Sequence, residues 1–370
     1  MMNKNNNFCP VPWISLHAWA DGNMFPCCMS DPMSSFGKLD VKKSYKENIN
    51  IDSFIKLRQA FLNNERPDTC WKCFEAEDKG LQSMRQDQCG YYITELDDDY
   101  FKQASIHKPK IYYLDIRFSN KCNLACVMCS PSFSSNIYDI YKDLNMYTEG
   151  PKNKSINYIN KLKPYINDIK SVYLAGGEPF LDDNVLILLD LLNNNKEVSI
   201  NFTTNCTINL SNKKIAHKLE KLSNHEVNFN ISLDGLPEYN DNIRLGGSFK
   251  KVCKNIEYLI ENFPTFKLII TPTLGILNIE NFPNFYNYMQ KYQCKWELNF
   301  IQYPKYFDAV NLPRASKINI INELNSNPFK DVIQNHLLPD GKQELYKEGL
   351  EFYDKYLSKT QFNKRGILWQ

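Results

Sequence analysis

Three cysteines confined to eight residues constrain this chain more than any other feature. Cys122, Cys126 and Cys129 stand at the spacing C-x3-C-x2-C, directly behind the run Ile111-Tyr112-Tyr113-Leu114-Asp115-Ile116-Arg117-Phe118. β-Branched and aromatic residues dominate that run and Ser119-Asn120 end it, so it predicts a strand with the thiols on its exit loop. Three thiolates can ligate three irons of a 4Fe-4S cube and leave the fourth iron without a protein ligand. Four-cysteine sets instead close an electron-transfer cluster or a structural zinc site. An open iron is a place to bind and reduce a ligand.

The chain holds twelve cysteines, and its polar start, Met1 to Asn7, has no apolar signal core. That combination argues for metal ligation or thiol chemistry over a disulfide framework. The scattered Cys89, Cys206, Cys253 and Cys294 are expected to be buried small hydrophobes. Forty-four basic against forty-two acidic residues leave a net charge of +2, which offers no electrostatic case for nucleic acid or an anionic membrane. The longest apolar stretch, near Phe266 to Leu277, is interrupted by Lys267, Thr271 and Pro272, which argues against a spanning helix. A cytoplasmic location is the simplest expectation.

A second cysteine set lies in residues 1–78. The alternating run Trp13 to Trp19, the turn Asp21-Gly22-Asn23 and the run Met24 to Cys28 predict a hairpin with Cys9 and Cys27 at its ends. A helix is expected from Ser53 to Asn63, ended by Pro67, and Cys70-Trp71-Lys72-Cys73 follows. Cys9, Cys27, Cys70 and Cys73 together make a four-thiolate site, which these residues alone leave open between zinc and an iron-sulfur cluster. Cys28 has no assigned role. Residues 79–109, with a helix-like start over 74–88 and the acidic run Glu95 to Asp99, read as a linker.

From Ile111 onward strands and helices alternate. Strands are expected at 111–118, 170–175, 198–204, 227–233, 266–272 and 296–302, and helices at 131–144, 155–167, 183–194, 212–223, 248–262 and 279–291. Such alternation implies parallel pairing through right-handed crossovers, with the site at the carboxyl ends of the strands. Unusual residues stand there: Gly176-Gly177-Glu178-Pro179 after the second strand, Thr203 to Thr207 after the third, and Ser232 to Gly235 with Arg244 after the fourth. They describe a pocket for a zwitterion and a ribose. A carboxylate suits an ammonium, an arginine suits a carboxylate, and hydroxyl and amide groups suit sugar oxygens. Residues 306–370 read as a helical extension, with helices near 315–324 and 342–356.

On these motifs residues 110–305 resemble the radical S-adenosylmethionine (SAM) enzymes. The resemblance implies an α/β fold, a partial (β/α)6 TIM-like barrel, in which Cys122, Cys126 and Cys129 hold a 4Fe-4S cluster and SAM chelates its free iron. One electron then yields methionine and a 5'-deoxyadenosyl radical that takes hydrogen from a substrate, chemistry carried by the cofactor. Gly176 and Gly177 would approach SAM, Glu178 would accept its ammonium and Arg244 would meet its carboxylate. Asn205 and Ser232 would hydrogen-bond carboxylate or ribose. Met128 takes the place of a commonly aromatic residue beside adenine, and Cys206 stands where glycine is common. Cys9, Gly22, Cys27 and Cys70-x2-Cys73 resemble the twitch module, the shortened relative of SPASM, which implies an auxiliary 4Fe-4S cluster. Here the module precedes the barrel.

The expected reaction is a net oxidation of a small molecule or peptide, with an external electron donor such as flavodoxin or ferredoxin and the auxiliary cluster as electron acceptor. No segment is expected to serve as a separate leader-peptide-binding domain. Redox-neutral epimerisation with Cys28, Cys89 or Cys206 as hydrogen donor, and a non-catalytic metal-binding scaffold, are the alternatives.

Overall fold

The computed structural model describes residues 7–78, 80, 82–95, 106–146, 148 and 150–360, with backbone only over 90–95. The chain begins with a helical turn, Val11–Ile14, and the strands β1 (Ser15–Ala18), β2 (Asn23–Phe25) and β3 (Gly37–Lys38). Further strands are β4 (Tyr113–Ile116), β5 (Ala125–Cys126), β6 (Ser171–Leu174), β7 (Ser199–Thr204) and β8 (Glu226–Ile231). Then come β9 (Arg244–Leu245), β10 (Lys267–Ile270), β11 (Thr273–Leu274), β12 (Lys295–Trp296) and β13 (Asn299–Phe300).

One nine-stranded sheet runs in the order β12-β10-β8-β7-β6-β4-β1-β2-β3. Its first six strands pair in parallel and in sequence order, which is the arrangement of an open (β/α)6 barrel. Burial along β7 and β8 alternates. Ile200, Phe202, Val227, Phe229 and Ile231 pack into the main core with helices such as Asp183–Leu192 and Phe249–Asn262. The half-buried Asn201, Thr203, Asn228 and Asn230 occupy the opposite face. A parallel sheet buried on both faces reads as a continuous apolar run, so polar alternation marks an inner face that lines a wet space.

The expected hairpin is present, with β1 antiparallel to β2. Unforeseen is that β1 also pairs in parallel with β4, matching Ser15 to Tyr113 and His17 to Asp115. The cysteine-rich segment is therefore hydrogen-bonded into the barrel sheet, and Asn7–Asp78 and the core share one edge.

Several expected elements differ in extent. The sixth strand breaks into β12 and β13, and the latter pairs with β11. The segment 155–167 forms only the short helix Ile159–Leu162 and a 3-10 turn, Lys163–Tyr165, because Pro164 lacks the N–H that a continuing α-helix requires. The segment 131–144 is helical only at Tyr138–Asp143, after a 3-10 turn. The helix expected at 74–88 is two helices, Trp71–Asp78 and Met84–Glu95. Most of the acidic run beyond Glu95 lies outside the described residues, as does the tail after Thr360. The C-terminal helices are Arg314–Leu324, Lys330–Leu337 and Gln343–Ser358. No helix of the described residues is long and apolar enough to cross a membrane.

Candidate active site at the strand ends

The loop that carries Cys122, Cys126 and Cys129 is fixed from several sides. β5 within it pairs antiparallel with β9, setting Cys126 opposite Arg244. Its carbonyl groups accept from hydroxyls: Leu124 from Ser134 (2.7 Å), Cys129 from Tyr141 (3.0 Å) and Ala125 from Tyr356 of the last helix (3.2 Å). Gly176 and Gly177 were expected to approach a ligand, and both do line the cavity described below. Their tightest approach, however, is to this loop. A Cβ on Gly177 would lie 2.1 Å from the Lys121 carbonyl oxygen, and Gly176, at φ +126°, would set one 3.2 Å from Ser119 O. Only glycine tolerates both the contact and the dihedral. Gly177 N–H donates to Ser119 O and Glu178 N–H to Lys121 O.

A cavity of about 660 Å³ opens over the three thiols. Met128, Asn205, Ser232 and Arg244 line it together with Cys122, Cys126 and Cys129. Asn205 donates from Nδ2 to Asn123 Oδ1 (3.0 Å) and, more weakly, to Cys122 Sγ (3.9 Å). Arg244 Nε lies 2.7 Å from Asp234 Oδ2 in an ion pair, and Asp234 Oδ1 accepts from Thr273 N–H. Burial opposes the arginine's charge, but Asp234 outweighs it and holds the guanidinium protonated. Burial pushes up the thiols of Cys126 and Cys129, so iron binding must displace protons there.

Glu178 departs from its expected position. It is 1% exposed and is absent from the cavity lining. Its carboxylate accepts from Thr204 Oγ1 (2.7 Å), Asn205 N–H (2.9 Å) and Phe180 N–H (3.4 Å). Burial pushes its pKa up to about 7 against those three donors. In this structure it braces the ends of two strands.

The second cysteine set is also brought together. Cys9, Cys27, Cys70 and Cys73 line one small pocket with Val11, Met29, Phe61 and Arg85. Burial leads in raising all four thiols, and thiol neighbours raise Cys9 and Cys70 further. Arg85 is paired with Glu77 and donates to Phe8 O.

Comparison with known proteins matches residues 116–289 to the family described as "Radical SAM superfamily" and residues 9–74 to SPASM, an "Iron-sulfur cluster-binding domain". Each match contains one of the two cysteine sets. The chain belongs to the radical SAM superfamily. Both family descriptions imply bound groups: a 4Fe-4S cluster and SAM in the core, and an auxiliary iron-sulfur cluster in the SPASM segment. The residues fit them in kind, since three thiols line one large cavity and four line one small pocket, although among the described residues no group of three or more His, Cys, Asp or Glu side chains is already gathered to hold a metal ion.

An uncharacterized protein of Methanocaldococcus jannaschii is 34% identical over 134 residues, covering 36% of this chain and 41% of that protein. A GTP 3',8-cyclase of Clostridium perfringens is 30% identical over 159 residues, covering 41% and 44%. One of Desulforamulus reducens is 28% identical over 190 residues, covering 48% and 52%. The chain thus spans about half the length of the curated relatives it matches. The crystal structure of Streptococcus suis SuiB bound to SAM matches with TM-score 0.41 at 16% identity, over 74% of this chain and 57% of that one.

Sequence reasoning about this radical SAM protein missed Asp234, Asn123 and Arg85. Asp234 stands in the quoted Ser232–Gly235 motif and Asn123 within the cysteine loop, so their signal was available; Arg85 gave none. Of the scattered thiols, Cys206 and Cys253 are buried as expected, whereas Cys89 and Cys294 are half-buried. Cys206 has φ +54°, which explains why glycine suits its position. Cys28 is exposed, yet its thiol pKa is raised, with burial as the leading cause. After burial, Asp115 and Cys27 raise that pKa and Arg117 lowers it.

Proposed function

We propose that this protein binds SAM above Cys122, Cys126 and Cys129 and, with an electron from an external donor such as flavodoxin or ferredoxin, cleaves it to methionine and a 5'-deoxyadenosyl radical that takes hydrogen from a small-molecule or peptide substrate. The clusters supply the electron chemistry: reduction of the sulfonium at the open one, and uptake of the substrate's electron at the closed one. The outcome is net oxidation.

The observation that carries this reading is the presence of two unlike thiol sets, three lining a large cavity and four lining a small pocket, on segments joined by the β1–β4 pairing. Arg244, tethered by Asp234, presents its remaining N–H groups to the SAM carboxylate, and Asn205 and Ser232 offer polar groups to SAM oxygens. Met128 packs beside the adenine. Glu178 would receive the ammonium after a side-chain turn away from Thr204, a move favoured because no cationic side chain pairs with it among the described residues. The Tyr356 helix and the Trp19–Phe133 contact, 4.8 Å between ring centroids, help close the site to water.

Anaerobic reconstitution, reduction with dithionite and detection of 5'-deoxyadenosine test the proposal. A Cys126→Ala variant should form none, and its absence from the parent as well would end the reading. A second reading, redox-neutral hydrogen return, is favoured by the open position of Cys28 beside the charges of Asp115 and Arg117. Solvent deuterium in the product, lost in Cys28→Ala, would select it.

A further inference from the structure

The cavity over the thiols extends to the cysteine-rich segment. Trp19, Pro32, Arg117, Phe133, Tyr173 and Thr203 line that part. Register explains the grouping: His17 lies beside Asp115 across β1 and β4, and Trp19 and Arg117 follow two residues later on the same face.

These side chains form a fixed assembly. Trp19 Nε1 donates to His17 Nε2 (3.2 Å), and His17 Nδ1 lies 2.8 Å from Asp115 Oδ2 in ion-pair contact, out of line for a hydrogen bond. Arg117 donates from Nε to Asp115 Oδ1 (2.9 Å) and from Nη2 to Oδ2 (3.4 Å). Its guanidinium carbon lies 5.9 Å from the Phe133 ring centroid and 5.6 Å from that of Tyr173. Tyr173 is in turn held by the Thr203 hydroxyl at 2.8 Å. Asp115 is fully buried and Arg117 is 14% exposed. Among the described residues Nη1 has no hydrogen-bond partner, and the residue borders the cavity.

Arg244 repeats the pattern, tethered by Nε to a buried aspartate on a strand end. The two differ in their neighbours: Arg244 stands opposite Cys126 across β5 and β9, whereas Arg117 follows β4 next to the cysteine-rich segment's β1. One cavity therefore holds two aspartate-tethered forks, and a single SAM carboxylate engages one of them.

We infer that Arg117 is a substrate-binding residue, its free guanidinium edge receiving a carboxylate or phosphate of the substrate while Trp19, Phe133 and Tyr173 pack against the group that bears it. A planar fork tethered by Asp115, with two ring centroids 5.9 and 5.6 Å away, loses little freedom on binding and matches either anion in bidentate geometry. The site places the substrate between the open cluster and the segment that carries the auxiliary thiols. This assignment to substrate rests on the proposed SAM chemistry, whereas the anion site itself does not.

The test is anaerobic calorimetry on the reconstituted protein, with SAM present in excess so that Arg244 is occupied, titrating inorganic phosphate and, separately, acetate. The parent should take up at least one of them saturably, in the millimolar range. The double variant Asp115→Asn, Arg117→Gln, which removes both charges and strands neither, should bind at least roughly tenfold more weakly. Phosphate alone would mark a phosphorylated substrate and acetate alone a carboxylic one. If the double variant does not hold its iron, Arg117→Lys carries the test, because it keeps the charge and loses the fork; a loss of roughly threefold or more is expected. Equal affinity in parent and variant, or no saturable uptake by the parent, overturns the assignment. 5'-Deoxyadenosine formed by the parent is measured in parallel. Anion uptake without it removes the SAM reading and leaves the anion site standing, and the converse removes only the site.

Discussion

Replacing Glu178 with glutamine should stabilise the protein against unfolding while weakening SAM binding. The carboxylate is 1% exposed and among the described residues meets only neutral donors, and burial lifts its pKa from 4.5 to about 7. A carboxyl group whose pKa is raised on folding binds its proton more tightly in the native state. Its stabilisation is complete below about pH 4.5 and is lost as pH rises through about 7. A shift of about 2.5 units corresponds to an upper figure of about 3 kcal/mol at pH 8. Glutamine carries no charge, can accept from Asn205 N–H and can donate to the Thr204 hydroxyl. Anaerobic urea unfolding of parent and E178Q should therefore give curves that nearly coincide near pH 4.5 and diverge by about 2–3 kcal/mol toward pH 8 in favour of the variant. SAM affinity of the variant should fall by at least about tenfold, since the ammonium loses a charged acceptor. Parallel stability curves across this range would refute the burial argument, and unchanged SAM affinity would refute the role in binding.

Other perturbations separate the parts of the site. Gly177→Ala forces the Lys121 carbonyl to move by more than 1 Å from its 2.1 Å clash; iron content should drop to about four per chain, held at the auxiliary set. Asp234→Asn leaves the buried Arg244 without a counter-charge, so a loss of about 3 kcal/mol in stability and a raised KM for SAM are expected from unfolding and 5'-deoxyadenosine assays. Cys206→Gly relieves a left-handed dihedral but empties a fully buried side chain. The two effects oppose, and the change in unfolding free energy should stay within about 1 kcal/mol, with SAM cleavage retained.

The sequence made the parallel core legible because its strands and helices differ in period and its cysteine spacing has few chemical uses. All seven expected ligand cysteines fall into the two expected groups. Edges were less legible where one residue decides the geometry, as Pro164 does in the shortened helix. The pairing of β1 with β4 was not legible at all. It joins residues about a hundred positions apart, and nothing local to Ser15–Ala18 distinguishes a free hairpin edge from one that completes a sheet. With that pairing unseen, His17, Asp115 and Arg117 had no reason to be read together. Alternation within β7, with Asn201 and Thr203 between Ile200, Phe202 and Thr204, was a readable sign that the inner face is polar. Glu178 was correctly marked as unusual, but whether its carboxylate faces a cavity or a neighbouring strand end depends on a rotamer that spacing does not determine.

The central claim is that two different clusters occupy two different cysteine sets. Iron and acid-labile sulfide should be counted anaerobically on the parent, on a variant with Cys122, Cys126 and Cys129 changed to alanine, and on a variant with Cys9, Cys27, Cys70 and Cys73 changed to serine. About eight irons per chain in the parent and about four in each variant are expected, with 5'-deoxyadenosine formation lost in the first variant. About four irons in the parent, with zinc retained until the N-terminal cysteines are changed, would contradict it.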